Sequence, residues 1–251
     1  MTGWFRGFAT VAVLEFKGGE LGSVRRWISF MANPISYLCF LGAGLAAHLG
    51  GAQYLEFMLP GVIVIQAISS MSSVIYRVVL ERRWGLAALK LQAGIPGTAY
   101  VAGLLSAPLC VFLGRVVVLV GLGYALSVRI GLGSLAVGAA VSLLAAVFWS
   151  LMGVVVAAVL KDYRTRDFVV GLLLMPLMFA APTFYSLDSA PAFLRVIAQG
   201  NPLTYQVDAV RAAMAGRLDL TGLVVSVALI VVAATGSVLC VHKMRQVSFE
   251  A

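Results

Sequence analysis

Charge is scarce in this chain of 251 residues: Asp, Glu, Lys and Arg together make up 11% of it, where an ordinary soluble domain carries about 25%. So few polar side chains cannot cover a water-facing globule, which excludes a soluble enzyme, and an apolar content of 61% excludes a disordered chain. Cysteine is also sparse. Cys39, Cys110 and Cys240 lie in apolar stretches with no C-x-x-C and no His or Cys at metal-ligand spacing, so neither a disulfide framework nor a zinc site is supported. The two histidines, His48 and His242, stand far from any carboxylate or cysteine cluster, and no G-x-S-x-G or H-E-x-x-H occurs. A P-loop needs Gly before its Lys so that the backbone can cradle phosphates, yet Lys17, Lys90, Lys161 and Lys243 follow Phe, Leu, Leu and His. The chain has no ATP site of that kind and no metal or catalytic cluster of its own.

What the sequence has in abundance is apolar length. A helix needs about 20 apolar residues to cross the hydrocarbon core. Six segments meet that need: Trp27 to Ala47, Phe57 to Tyr76, a third from Gly97 after Pro96, a fourth within Ile130 to Leu160, a fifth from Phe168 to Leu187, and Leu220 to Val241. Runs such as VVLVGLGYAL and LVVSVALIVVAA are apolar at every position, whereas barrel strands would alternate, so the spans are helical. The six contain no Asp or Glu. A proton-driven transporter would carry an intramembrane acid, so the energy for any transport must come from elsewhere.

The opening residues, MTGWFRGFATVAVLEFKGG, lack the compact apolar core and cleavage site of a secretory signal, which places the N-terminus in the cytosol. With six spans the cytosolic pieces are 1–26, 77–96, 161–167 and 242–251. They hold thirteen basic and six acidic residues, a surplus of +7, while the outer pieces balance Arg129, Arg195, Arg211 and Arg217 against Glu56, Asp188, Asp208 and Asp219. The net charge of +8 therefore reads as the positive-inside rule, with both termini cytosolic in a multi-pass cell-membrane protein. A nucleic-acid partner is disfavoured, because its binding face would gather the charge on one surface.

The remaining charge is Arg115, inside the third span. At a helix centre an arginine costs about 2.5–3.5 kcal/mol, so it must face protein, a wet path or a headgroup. It lies 18 steps beyond Gly97, roughly 27 Å at about 1.5 Å per residue, which is consistent with the outer interface as well as with a substrate path.

Three stretches do not cross. Residues 1–26 place Trp4, Phe5, Phe8, Val11, Ala12 and Phe16 broadly on one helical face, opposite Arg6, Thr10 and Lys17, as an amphipathic helix lying in the cytosolic interface would. Residues 79–95 are too charged to cross and too poor in Gly and Pro for a loop; the spacing predicts a short cytosolic helix or hairpin, with Val79, Arg83, Leu86 and Lys90 on one stripe and Trp84, Ala87, Ala88 and Leu91 on another. Residues 188–218 read as two short helices on the outer side. The first covers Ala190 to Ala198 and stops at Gly200; the second covers Leu203 to Ala215, is opened by Asn201 and Pro202, and is closed by Gly216. Such a hairpin is re-entrant or interfacial, and Asp208 and Arg211, three apart, are positioned for a structural ion pair.

This layout resembles the permease subunits of the type-2 ABC exporters, including drug-resistance and lipo-oligosaccharide exporters. The resemblance is carried by Pro176, Leu177, Phe179, Phe184, Tyr185, Leu187, Pro191 and Leu194, followed by the run Asn201, Pro202, Leu203, Thr204, Tyr205, Asp208, Ala209 and Arg211. Asn33, Pro34, Tyr37, Gly42, Gly44, Leu45, Tyr54, Phe57, Pro60 and Gly61 are similar to the family's first two spans, and Arg82, Gly85, Leu89 and Pro96 to its cytosolic segment, although Ala88 or Leu89 stands where an acid is usual.

The resemblance implies an all-α permease domain over 1–251, with six transmembrane helices, an N-terminal interface helix and an outer re-entrant hairpin. It further implies two separate ABC ATPase subunits that bind ATP and Mg, a second permease copy or homologous sister permease, and contact with membrane lipid. Glu81, Arg82, Arg83, Trp84 and Gly85 would couple to the ATPases. Phe179, Phe184, Tyr185, Asn201, Tyr205 and Arg115 would line a substrate path or outer gate. Cargo in that family spans amphiphilic, lipid-like and drug molecules as well as polysaccharides and glycolipids; the Met and aromatic side chains near the fifth span favour an apolar cargo. A different class, a non-transporting membrane scaffold, would use the same spans only to hold partners.

Overall fold

The computed structural model describes residues 2–18, 23–160, 168 and 170–247, and among these every regular element is helical. Of the charges expected on the cytosolic side, Glu20, Lys161, Asp162, Arg164, Arg166, Asp167 and Glu250 lie outside the described residues, as do the side chains of Lys243 and Arg245. Five helical stretches are long and apolar enough to cross a membrane: Val24–Leu49, Ala52–Arg83, Gly97–Ala125, Leu132–Val159 and Leu220–His242. The segment expected to form the fifth crossing is helical over 170–180 and leaves the helix at Ala181, so within the described residues it is shorter than a straight span requires.

The elements in chain order are α1 (Thr2–Gly18), then α2 (Val24–Ser36), a π-helical stretch Tyr37–Gly42 and α3 (Ala43–Leu49), which together make the first span. Next come α4 (Ala52–Arg83), α5 (Leu86–Gln92), α6 (Gly97–Ala125) and α7 (Leu132–Val159). A second π-helical stretch, Val170–Leu174, leads into α8 (Met175–Ala180); a single 3-10 turn, Leu187–Ser189, precedes α9 (Ala192–Gln199), α10 (Pro202–Met214) and α11 (Leu220–Val247).

The core is built around α4. Of its most apolar stretch 83% is buried, against 22% for α11, so α4 is the hub and α11 a peripheral helix. Its main partner is α7. Gly153 of α7 makes that approach possible, since a Cβ there would lie 2.8 Å from the Met71 carbonyl oxygen and 2.9 Å from Val74 Cβ. Glycine plays the same part where α1 crosses α6: a Cβ on Gly103 would stand 2.6 Å from Val11 Cβ.

Two stretches differ from the sequence expectation in instructive ways. In α1 the buried stripe is Gly7, Val11, Ala12 and Glu15, while Phe5 and Phe16 face outward together with Val13 and Leu14. The helix is thus apolar on two sides, and the side that packs on α6 is chosen by small residues and an acid with partners. In the cytosolic segment, Val79 to Arg83 is simply the last turn of α4. Gly85, in the left-handed region at φ 70°, then breaks the helix before α5 begins, so neither predicted stripe across 79–91 exists as one face.

Candidate functional site: a cavity on the first, second and fifth segments and its two corners

A cavity of about 240 Å³ opens between the first span, α4 and the α8 segment. Its walls are Asn33 and Tyr37 from the first span, Ile65, Ile68, Ser69 and Ser72 from α4, and Gly171, Leu174, Met175, Met178 and Phe179 from the fifth segment. Helical spacing explains the α4 contribution, since 65, 68, 69 and 72 fall on one face. Both π-helical stretches border this cavity. A π turn inserts one residue into a helix and re-aims the side chains beyond it, and such turns concentrate at functional sites. The lining is therefore amphiphilic: Met, Phe and aliphatic carbon, with an amide, a phenol and two hydroxyls placed among them.

Toward the outer side the cavity is capped by aromatic rings. Phe184 lies with its ring centroid 6.4 Å from that of Phe179 and 6.4 Å from that of Tyr37. Tyr185 turns away and donates its hydroxyl hydrogen to the Phe179 carbonyl at 3.0 Å. Of the expected path residues, Phe179 borders the cavity directly and Phe184 closes over it, while Asn201, Tyr205 and Arg115 stand elsewhere.

The outer corner explains what the NPLTYQVDAVR run does. After α8 the backbone of residues 181–186 is irregular, and its carbonyls, like those of the last turn of α8, have no helical partner. Three side chains supply donors. Asn201 Nδ2 donates to the Leu177 carbonyl at 2.7 Å, Arg211 Nη2 to the Pro182 carbonyl at 2.6 Å, and the Tyr54 hydroxyl to the Phe184 carbonyl at 3.1 Å. Asn201 also caps α10, its Oδ1 accepting from the Leu203 amide at 3.0 Å, so one side chain closes one helix end and opens another.

Arg211 adds a 3.1 Å contact from Nη1 to Asp208 Oδ1, and its guanidinium sits 4.0 Å from the centroid of the Phe57 ring. Burial pushes the Asp208 carboxyl above its ordinary value, with Arg211 opposing and Asp219 adding to the rise, and burial lowers the Arg211 guanidinium. Tyr205 donates to the Gln199 carbonyl at 2.8 Å, tying α9 to α10. Gly61 of α4 admits the irregular strand, because a Cβ there would lie 2.9 Å from Thr183 Cα.

Arg115 is 7% exposed and is explained by a proline. Pro34 lacks the N–H that would bond the carbonyl four residues back, Phe30, and Arg115 Nε donates to that carbonyl at 3.3 Å. Its guanidinium also lies 5.7 Å from the Phe30 ring centroid. The arginine thus braces α6 against the kink of α2, one turn before the π-helical stretch that borders the cavity.

At the corner expected on the cytosolic side the five residues expected to couple to ATPases divide. Arg83 and Trp84 are exposed, Trp84 to 63%, and Leu89 beside them to 60%. Arg82 Nη1 reaches the carbonyls of Ala157 and Ala158 at 2.7 and 3.1 Å, capping the end of α7. Gly85 makes the turn. Glu81 points inward and is fully buried, in a cluster with Glu15, Arg77, Lys90 and Tyr100. Sequence reasoning missed this cluster, although an acid at Glu15 between apolar neighbours and the i,i+4 spacing of Arg77 and Glu81 both signalled it. It also missed Asn33, Tyr37 and Ser69, whose signal is polar side chains at helical spacing inside apolar spans.

Comparison with known proteins agrees with this architecture. Residues 21–215 match the family described as ABC-2 type transporter. The chain is 25% identical over 215 residues to Nodulation protein J of Rhizobium leguminosarum bv. viciae, covering 81% of this chain and 79% of that protein. It is 24% identical over 211 residues to the inner membrane transport permease YadH of Escherichia coli K12, covering 78% and 80%. With the family match extending over most of its length, and with long apolar helices surrounding an amphiphilic cavity, the chain belongs to the ABC-2 type transporter family of membrane permeases.

Proposed function

We propose that this chain is the membrane-spanning subunit of an ATP-driven exporter whose cargo is an amphiphile with an apolar body and a polar head. The observation that carries the reading is the cavity: Met175, Met178 and Phe179 offer adaptable apolar surface, while Asn33, Tyr37 and Ser69 offer hydrogen-bonding groups at the same site. Lipid-like molecules, drugs and glycolipids share that chemistry. In this reading the fifth segment completes a sixth crossing, both termini are cytosolic, and the cavity is finished by a second permease copy or a sister subunit. Phe184 with Phe179 is the outer gate.

Two ATPase subunits, which bind the ATP and Mg, dock on the exposed Arg83, Trp84 and Leu89 surface and drive the change between inward-facing and outward-facing states. The test is a reconstituted complex with an ABC ATPase that co-purifies with this chain. ATP-dependent movement of a fluorescent phospholipid analogue, together with ATPase activity raised by that analogue, supports the reading. A stable complex that hydrolyses ATP at a rate no amphiphile alters, and moves none, would instead make this chain a scaffold.

A further inference from the structure

The cytosolic charge cluster joins four elements through five side chains. Arg77 of α4 places Nε 2.9 Å from Glu15 Oε2 of α1 and 3.4 Å from Glu81 Oε1. Lys90 of α5 bonds Glu81 Oε1 and stands 3.6 Å from Glu15 Oε1. Tyr100 of α6 donates its hydroxyl hydrogen to Glu81 Oε2 at 2.9 Å and presents its ring 5.7 Å below the Lys90 ammonium. Two carboxylates thus meet two cations in a neutral cluster where the Glu81 side chain is 1% exposed and that of Lys90 is 12% exposed.

α5 is seven residues long, and Lys90 is its only charged residue. Apart from the buried Ala87 and Leu91, nothing on α5 points inward as deeply. If α5 tilted by itself, Lys90 would leave two carboxylates short of a cation in a low-dielectric site, and breaking a buried pair in that way is strongly unfavourable. The lower-energy motion keeps the cluster whole and carries α1, α5 and the end of α4 together.

We propose that Lys90 is the positioning residue that makes α5 and the N-terminal helix α1 move as one unit, so that a push received on the exposed side of α5 is delivered to α1 and α4 through Glu15 and Glu81. This rests on the docking role of α5 proposed above. Trp84 and Leu89 receive the force; Lys90 transmits it inward.

The experiment uses the full permease–ATPase complex with Lys90→Met, which keeps the apolar stem, and Lys90→Arg, which keeps the charge. The expected result is that Lys90→Met assembles with the ATPase and hydrolyses ATP at the wild-type basal rate, yet loses about tenfold in phospholipid analogue moved per ATP, and that Lys90→Arg restores most of it. Spin labels at Val13 and Gln92, both outside the cluster, give a second readout. Their separation should stay constant between nucleotide-free and ATP-bound wild type and broaden in Lys90→Met.

Wild-type transport per ATP in Lys90→Met overturns the proposal, as does a Val13–Gln92 separation that changes with ATP in the wild type. Loss of ATPase binding in Lys90→Met alone overturns it too, because Lys90 is then a docking residue. A wild-type complex that never binds an ATPase removes the docking reading itself, and the Lys90 proposal with it.

Discussion

The two corners of the molecule solve the same problem with different chemistry. At the cytosolic corner charged side chains satisfy one another: Glu15, Arg77, Glu81 and Lys90 form a neutral group between four helices that are each regular. At the outer corner polar side chains satisfy backbone, Asn201 taking a carbonyl of α8 itself and Arg211 and Tyr54 carbonyls of the segment that leaves it. Ion pairs between intact helices survive a rigid-body shift of those helices. A carbonyl of irregular backbone has no other partner, so the outer corner is fixed in place. In the proposed cycle, force would therefore enter at the corner whose contacts can move together and be resisted at the corner whose contacts hold backbone in place.

Breaking the outer corner should have the largest effect. Arg211→Met leaves the Pro182 carbonyl without its donor and Asp208 without its cation, for a loss of about 2–4 kcal/mol of stability and most transport, read by thermal denaturation in detergent and by lipid-analogue efflux. Asn201 sharpens the point because its two functions separate. Asn201→Ser keeps an acceptor for the Leu203 amide and loses the reach to Leu177, whereas Asn201→Ala loses both, so Ser should be the milder variant by about 1 kcal/mol. Equal losses would mean that the Leu177 bond is the dominant one.

Arg115 offers a test between the corners. If it answers the carbonyl freed by Pro34, then Arg115→Met should destabilise the wild type by about 1–2 kcal/mol and the Pro34→Ala background clearly less, a coupling that a double-mutant cycle measures directly. Additive losses would detach the arginine from the kink.

The smallest expected effect lies at Glu15. Burial outweighs Arg77 and holds its carboxyl above the ordinary value, so Glu15 binds a proton more tightly in the folded protein than in the unfolded chain. Its contribution is complete at pH values below the ordinary carboxylate range and is lost as pH rises through the raised value. The difference in Tm between wild type and Glu15→Gln should accordingly shift in favour of the wild type as pH falls from about 7 to about 4. A difference that shifts against the wild type as pH falls would mean that the two cations dominate.

Much of this architecture was legible in the residues. Gly97 and Leu220 begin helices where the apolar runs place them, and the Asn201–Pro202 start and Gly216 stop of the outer helix follow from capping chemistry alone. The second span was read too short, because the apolar run ends at Tyr76 while the helix continues to Arg83; a charged last turn stays helical when its charges find partners on other elements. Glu15 lies 62 positions from Arg77, and Tyr100 lies 19 from Glu81; Trp4 likewise reaches Thr98 across 94, and periodicity carries no information on such pairs. For the same reason Asn201 and Arg211 could be picked out as important while their role, holding carbonyls of a segment 24 and 29 residues earlier, required the fold.

The central claim is that cargo passes through the cavity between the first span, α4 and the fifth segment. Met178→Trp would fill that cavity, and Val232→Trp on the exposed face of α11 serves as the matched control, since Val232 is 71% exposed. Measured as ATP-dependent movement of a fluorescent phospholipid analogue by the intact complex, the account predicts that Met178→Trp abolishes transport while Val232→Trp preserves it, both variants assembling with the ATPase. Undiminished transport by Met178→Trp would contradict it.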